Sequence, residues 1–135
     1  DISEKLIQIA KDSVPECRFF VGDITKKFSE LGKFDGVLCL ATIVHVDITK
    51  MKFTLENIAD VLKKGGLLLL SSCDGVGKSA EKSYVKIDGD AYDKDFNNYN
   101  ASELCAFAYP KLKLVDTWRF EDFPEGWRYY VFMKV

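Results

Sequence analysis

The chain has 135 residues, of which 47% are hydrophobic, and this is enough to supply the core of a single domain spanning residues 1–135. Its 19 lysines and arginines against 21 aspartates and glutamates give a formal net charge of -2, which offers no general attraction to nucleic acid or anionic lipid. Composition therefore disfavours a nucleic-acid or membrane-surface partner and favours a small-molecule or protein substrate.

The cysteines and the hydropathy pattern indicate a protein of the cytoplasm. No apolar run approaches the length that crosses a bilayer, and the opening residues do not resemble a basic and then apolar leader. The cysteines are far apart, show no zinc-ligand spacing and mostly neighbour apolar residues, as reduced thiols of a core do: Cys17, Cys39, Cys73 and Cys105. We expect no metal site.

The first part of the chain predicts a helix followed by a strand. Leu6, Ile7, Ile9 and Ala10 recur at helical spacing, and Ser3 is a suitable N-cap, so the helix should run to about Asp12. Pro15 then breaks the helix. Residues 17–21 read as a short buried strand that stops at Gly22 and Asp23.

The middle of the chain predicts a strand, helix, strand unit. Residues 34–41 are apolar on both faces toward their end, which is typical of a parallel strand covered by helices. Residues 51–64 carry an apolar stripe at helical spacing, and the following Gly65 and Gly66 favour a helix end there. The next strand should span 67–72. Such a crossover unit indicates an α/β fold with parallel strands.

The last third predicts a long connection and a hairpin. Residues 74–100 are rich in Gly, Ser, Asp, Asn and Lys, which indicates a functional or mobile loop and a candidate for substrate specificity. Ser102 should cap a short helix through about Tyr109. Residues 112–118 and 127–135 then read as two antiparallel strands.

Four signals occur in an order that resembles the Rossmann-like, class I S-adenosylmethionine-dependent methyltransferases. They are the acidic residue before the first helix, Gly22-Asp23-Ile24 after a strand, Phe34-Asp35-Gly36-Val37 opening the next strand, and the glycine pair before the strand at 67–72. The resemblance covers essentially the whole chain, from the end of the family's second strand to its seventh. It implies an incomplete Rossmann-like sheet, mostly parallel, with a C-terminal antiparallel hairpin, and an S-adenosylmethionine cofactor.

The resemblance also implies roles for two acidic residues. Asp1 matches the family carboxylate that holds the ribose hydroxyls, and a carboxylate suits that task because it accepts two hydrogen bonds. Asp23 matches the carboxylate that accepts the adenine amino group, and the backbone amide of Ile24 matches the donor to a ring nitrogen. The alternative for each is local: Asp1 favours a helix N-terminus, and Asp23 caps a turn.

By the same resemblance, Leu40, Ala41 and Thr42 border the methionine part of the cofactor. His45 stands near the place where many relatives carry a histidine beside the active site. As the chain's one histidine it is a candidate general base at neutral pH. A histidine between two valines is also compatible with a purely structural role.

The family's first strand and its glycine-rich loop do not occur in this sequence, so the predicted domain is N-terminally incomplete. Because that loop brings backbone amides to the cofactor, its absence predicts weak binding by the chain alone. Lost strands would also leave an unpaired sheet edge, which favours homo-oligomers. A catalytically inactive fragment or interaction module is therefore the alternative to an active methyltransferase.

A second enzyme class deserves comparison at residues 74–79. Asp-Gly-Val-Gly-Lys-Ser after an apolar strand resembles the end of a phosphate-binding P-loop. That motif requires a glycine where this chain has Ser72, and the residues after Ser79 lack the periodicity of the helix that should follow. A nucleotide hydrolase is therefore disfavoured.

Overall fold

The structure is a computed structural model, and it describes residues 1–75, 77–78, 83–87, 90–94, 97–119 and 126–135. The helices are α1 (Glu4–Ser13), α2 (Ile48–Val61) and α3 (Ala101–Ala108). The strands are β1 (Phe34–Cys39), β2 (Leu62–Cys73), β3 (Gly77–Lys78), β4 (Ser83–Ile87), β5 (Asp90–Lys94), β6 (Asn97–Asn98), β7 (Leu112–Trp118) and β8 (Trp127–Lys134). The predicted α/β class is confirmed.

The main sheet has four strands in the order β1-β2-β8-β7. Strands β1 and β2 are parallel, whereas β8 runs antiparallel to both β2 and β7. The predicted C-terminal hairpin is thus confirmed, but the described sheet is mixed where a mostly parallel sheet was expected. The reason is that β8 inserts between β2 and β7, so two of the three pairings are antiparallel.

Helix α1 begins as the sequence predicts. The Ser3 hydroxyl accepts a hydrogen bond from the Leu6 amide at 3.3 Å, which is the geometry of an N-cap. The strand predicted at 17–21 is not formed, however. A strand requires a hydrogen-bonded neighbour along its length, and the described contacts of this segment's end are with the single residue Asp1.

The join between α2 and β2 differs from the prediction. The helix begins after an Asp47 cap and ends at Val61, before the lysine and glycine pairs. The segment 63–66 lies within β2, where it forms an irregularity opposite Asp35: Phe34 pairs with Leu62, but Gly36 pairs with Leu67. The predicted helix ending therefore belongs to a bulged strand, and Gly65 provides its positive φ of 78°.

Two predictions in the last half are also corrected. The N-cap of α3 is Asn100 and not Ser102, because Asn100 and Glu103 form a reciprocal capping box. The predicted loop at 74–100 contains the antiparallel pair β4 and β5, and its two ends are joined by pairing of β3 with β6. The sequence pattern did not predict these short strands, because the segment is polar and rich in glycine.

One hydrophobic core lies between the main sheet and the helices α2 and α3. Its buried members come from both helices and from the inner face of β2 and β8, including Met51, Leu55, Ile58, Leu68, Leu70, Leu104, Tyr130 and Phe132. Strand β1 is the edge of this sheet, and its Leu38 is 73% exposed. The edge predicted from the sequence is therefore present on this side.

Candidate functional site

The carboxyl end of β1 opens into a loop whose backbone is fixed from the neighbouring strand. Ala41 has a positive φ of 53°, which is uncommon for a residue with a Cβ atom. Its amide donates to the hydroxyl of Ser71 in β2 at 2.9 Å, and the Thr42 hydroxyl donates to the Leu40 carbonyl at 3.0 Å. Leu40, Ala41 and Thr42 are all exposed. The sheet thus presents three predicted site residues on a constrained loop.

His45 lies on the short helical turn that follows this loop. We call the 3-10 turn Ile43–His45, with its cap Val46, the His45 turn. Val44 and Val46 are buried, whereas His45 itself is exposed, and its amide donates to the Thr42 carbonyl at 3.1 Å. The valines on either side anchor the turn, and His45 lies at the surface.

The structure brings Asp1 and the residues before Asp23 together. The Gly22 amide donates to the Asp1 carbonyl at 2.8 Å, and the Asp1 amino group donates to the Phe20 carbonyl at 3.4 Å. Two acidic residues 22 positions apart in sequence therefore lie on neighbouring segments. The two carboxylates to which the resemblance assigns a ribose and an adenine contact thus belong to adjacent backbone segments.

Each of these carboxylates also has a local role. Asp1 Oδ1 accepts from the Ser3 amide at 2.8 Å, and Asp23 Oδ1 accepts from the amide and the hydroxyl of Thr25, both at 2.8 Å. Among the described residues, the hydrogen bonds of both carboxylates use Oδ1 alone. The local and the ligand-binding interpretations are therefore compatible, because Oδ2 of each carboxylate is a second acceptor.

The charge of Asp23 is stabilised by its surroundings. The hydroxyl and the amide of Thr25 hold the pKa of the Asp23 carboxyl below its usual value of 3.8, and Lys26 and Lys50 add to this effect. The carboxylate is thus ionised at neutral pH and acts as an acceptor only.

Ile24 connects this acidic segment to the core. Its side chain and that of Phe28 pack against the buried cluster, and the Asn57 amide of α2 donates to the Lys26 carbonyl at 2.9 Å. Within the described chain, no acceptor is found for the backbone amide of Ile24. The predicted residues thus form two groups, Asp1 with Asp23 and Ile24, and Leu40 with Ala41, Thr42 and His45, both anchored to the same core.

Several residues of the site were not found from the sequence. Ser71 fixes Ala41, while Asn97 and Tyr99 donate to carbonyls of the His45 turn. Cys39, next to the loop, is not a candidate nucleophile, because burial raises the pKa of its thiol to about 11. One indication for Ser71 was present in the sequence: it lies near the end of an apolar strand that was predicted to be parallel to the strand before the loop.

A charged cluster lies at the same end of the sheet, beyond the carboxyl end of β2. Asp74, directly after β2, accepts from Arg128 Nε at 3.1 Å and also from Arg119. Beside it Trp118 and Tyr129 stack with ring centroids 5.7 Å apart. The stacking is a packing contact across the β7 and β8 pair.

We expect Asp74 to make stability depend on acid pH. Burial raises the pKa of its carboxyl, but the hydrogen bonds from Arg119 and Arg128 outweigh burial, so the pKa is lower than 3.8. An acid with a lowered folded-state pKa stabilises the fold above its unfolded pKa, and this stabilisation is lost as pH falls through the folded value. Thermal unfolding measured between about pH 6 and pH 2 should therefore show a weaker pH dependence in Asp74→Asn than in wild type.

The matched control for this prediction is Asp35→Asn. Asp35 pairs with Lys63 at 2.8 Å, but its side chain is 87% exposed, and such surface pairs contribute little. The control should retain the wild-type pH dependence. An Asp74→Asn profile that overlays the wild-type profile would contradict the assignment.

One sequence-based alternative falls on an incompletely described segment. Residues 74–79, compared with a P-loop, include positions 76 and 79, which lie outside the described residues.

Of the helices that the structure describes, none combines the length and the apolar content that a membrane crossing needs.

Comparison with known proteins supports the resemblance. The family described as Methyltransferase domain matches residues 1–66. A search of curated proteins gives no significant match. Solved structures of similar fold include an S-adenosylmethionine-dependent methyltransferase from Clostridium acetobutylicum, with a TM-score of 0.77 at 13% identity, covering 99% of this chain and 73% of that one.

Two further structures share this fold. A SAM-dependent methyltransferase from Methanosarcina mazei has a TM-score of 0.76 at 14% identity, covering 100% of this chain and 80% of that one. The N-methyltransferase NodS from Bradyrhizobium japonicum, in complex with S-adenosyl-L-homocysteine, has a TM-score of 0.68 at 16% identity, covering 99% of this chain and 64% of that one. At these identities the structures show the fold.

Proposed function

We propose that this chain contributes the adenosine-binding edge and the active-site loop of an S-adenosylmethionine-dependent methyltransferase. Its residues 1–66 match the methyltransferase domain family, and solved methyltransferase structures share its fold. The observation that carries the proposal is the hydrogen bond from Gly22 to Asp1, which places the two acidic segments side by side. A ribose and its attached base require acceptors at two adjacent places.

The residues present fit the adenosine part of such a cofactor. Asp1 Oδ2 would accept from the ribose hydroxyls, and Asp23 Oδ2 would accept from the adenine amino group. The Ile24 amide is a suitable donor to a ring nitrogen, because the Ile24 side chain anchors the backbone on the core. Ionised Asp23 suits this task, since a protonated carboxyl would offer one acceptor fewer.

The loop after β1 would face the reacting end of the cofactor. S-adenosylmethionine, when bound, supplies a methyl group on a positively charged sulfur, which transfers to an acceptor nucleophile by in-line displacement. The contribution of this chain is to hold Leu40, Ala41 and Thr42 as a constrained wall, through the Ser71 bond to Ala41. Positioning and exclusion of water are the main sources of rate enhancement for such a transfer.

His45 would take the proton that an acceptor loses on methylation. His45 is exposed and belongs to a turn whose two flanking valines are buried, so its backbone is held while the residue lies at the surface. We propose a small-molecule or protein acceptor. We place the protein in the cytoplasm, because all four cysteines are unpaired thiols.

The proposal is tested by isothermal titration of the chain with S-adenosylhomocysteine. We expect binding that weakens at least tenfold in Asp23→Ala, since one hydrogen bond to a charged group is worth about 1.5–3 kcal/mol. The control is Asp35→Ala, which removes a carboxylate at the other end of β1 and should bind like wild type. Absence of heat with a folded wild-type sample would overturn the proposal for the chain alone and favour an inactive fragment or interaction module.

We also propose that copies of the chain associate through the open edge of β1. The edge carries Leu38 at 73% exposure and exposed Phe34, with backbone groups available for a further strand. We expect sedimentation velocity to show a dimer that Leu38→Lys converts to a monomer. A wild-type monomer at high micromolar concentration would contradict this association.

A further inference from the structure

The His45 turn is held from a segment more than 50 positions away in sequence. Asn97 Nδ2 donates to the carbonyls of Val44 and Val46, at 3.3 and 3.0 Å. The Tyr99 hydroxyl donates to the same Val46 carbonyl at 3.0 Å. Two side chains therefore donate hydrogen bonds to the carbonyls on both sides of His45.

Of the two donor side chains, that of Tyr99 is itself fixed in the core. Tyr99 is 1% exposed, its amide donates to the Cys73 carbonyl at 2.9 Å, and its carbonyl accepts from the Tyr130 hydroxyl at 3.3 Å. Burial raises the pKa of the Tyr99 phenol to about 12, so the hydroxyl keeps its proton and remains a donor. A continuous set of contacts thus runs from β8 through Tyr99 to the His45 turn.

We propose that Asn97 and Tyr99 are positioning residues that set the direction of the His45 side chain and the place of the loop from Leu40 to Thr42. This inference rests on the proposed function for its catalytic meaning. The carbonyls of Val44 and Val46 belong to the peptides that precede His45 and follow Val46, so their hydrogen bonds fix the peptide planes around the imidazole. The turn begins at the Thr42 carbonyl, so its orientation also constrains the loop.

Packing alone does not explain the arrangement. Burial of Ile43, Val44 and Val46 keeps the turn on the core, but apolar contacts are not directional. Hydrogen bonds to two carbonyls separated by one residue select a single rotation of the backbone between them. Loss of these bonds should therefore disturb His45 more than it disturbs the overall fold.

The test uses His45 as a spectroscopic probe, since it is the one histidine among 135 residues. We would record the proton and carbon NMR signals of its ring in wild type, Asn97→Asp and Tyr99→Phe. Asn97→Asp replaces two donor hydrogens by an acceptor that faces two carbonyls, and Tyr99→Phe removes one hydroxyl. We expect shifted or multiple ring signals in both variants, together with a tenfold weaker affinity for S-adenosylhomocysteine.

The matched control is Asn98→Asp, which adds the same charge one position away. Consecutive strand residues point to opposite faces, and Asn98 lies against Gly75, so this variant should leave the ring signals of His45 as in wild type. Wild-type ring signals in folded Tyr99→Phe would overturn the inference, even if Asn97→Asp failed to fold. If wild type binds no S-adenosylhomocysteine, the proposed function fails, and the ring signals still decide whether Asn97 and Tyr99 orient the turn.

Discussion

Replacing Phe132 by alanine is expected to lower the free energy of unfolding by about 3–5 kcal/mol, as measured by urea denaturation. Phe132 lies in β8, pairs with Leu68 on one side and Leu114 on the other, and is 0% exposed. The loss combines the transfer of the ring to water with the cavity that remains. Since domains of this size are stable by about 5–15 kcal/mol, the change removes a large part of the total.

The control for Phe132 is Val115→Ala in the neighbouring strand β7. Val115 is exposed, so its truncation should change stability by less than about 0.5–1 kcal/mol. If Phe132→Ala does not fold, Phe132→Leu provides a smaller truncation, which should still destabilise by more than the control does. Equal stability of Phe132→Leu and wild type would mean that this part of the sheet is not packed as described.

The second large effect is expected at Gly66, where alanine should destabilise the fold by about 1–3 kcal/mol. A Cβ atom at position 66 would lie 3.0 Å from the carbonyl oxygens of both Asp35 and Lys63, and 3.2 Å from Leu62 Cδ2. The two nearest atoms are backbone atoms of the bulged region, so they have little freedom to move. The strain would therefore be concentrated at the join between β1 and β2.

Gly36→Ala is the matched control, because Gly36 lies in β1 close to the same irregularity. A Cβ atom there would lie 3.7 Å from the Leu67 carbonyl oxygen, an ordinary contact. Alanine reduces the entropy of the unfolded chain, so this variant should be neutral or more stable by up to about 1 kcal/mol. The two glycine variants are thus expected to differ in sign, and equal melting temperatures would contradict the tight contact at Gly66.

The regular elements of the fold were largely predictable from the sequence. Helix α1 with its Ser3 cap, strand β7 and the terminal hairpin follow from local spacing and turn residues. The strand predictions that were wrong have a common cause: whether a strand forms depends on pairing with residues that are distant in sequence. Residues 17–21 have strand composition but pair with no strand among the described residues, whereas β4 and β5 have polar composition and pair with each other.

The predictions of the helix boundaries were wrong for a different reason. Two lysines and two glycines after an apolar helix favour a stop at that point, yet the backbone enters β2 at Leu62 and contains the glycines in a bulge. The same glycines satisfy either geometry, since both need a residue tolerant of positive φ. Ser102 and Asn100 are likewise both competent caps, and the capping box with Glu103 selects Asn100.

The candidate site was predictable only where a family resemblance existed. Asp1, Asp23 and the loop after β1 come from motifs, whereas the contact between Gly22 and Asp1 is known only from the structure. Ser71, Asn97 and Tyr99 carry no motif, because a side chain that binds a backbone carbonyl or amide leaves no pattern in the partner's sequence. Their assignment to the site requires three-dimensional coordinates.

The position of β8 has a consequence for how the chain folds during synthesis. Strand β8 (Trp127–Lys134) lies between β2 (Leu62–Cys73) and β7, so β2 emerges from the ribosome long before its antiparallel neighbour. Until then the edge of β2 that pairs with β8 is open. Sheets that depend on such distant pairing fold slowly and are prone to aggregation. Chaperone dependence should therefore be greatest for nascent chains that end between β2 and β8.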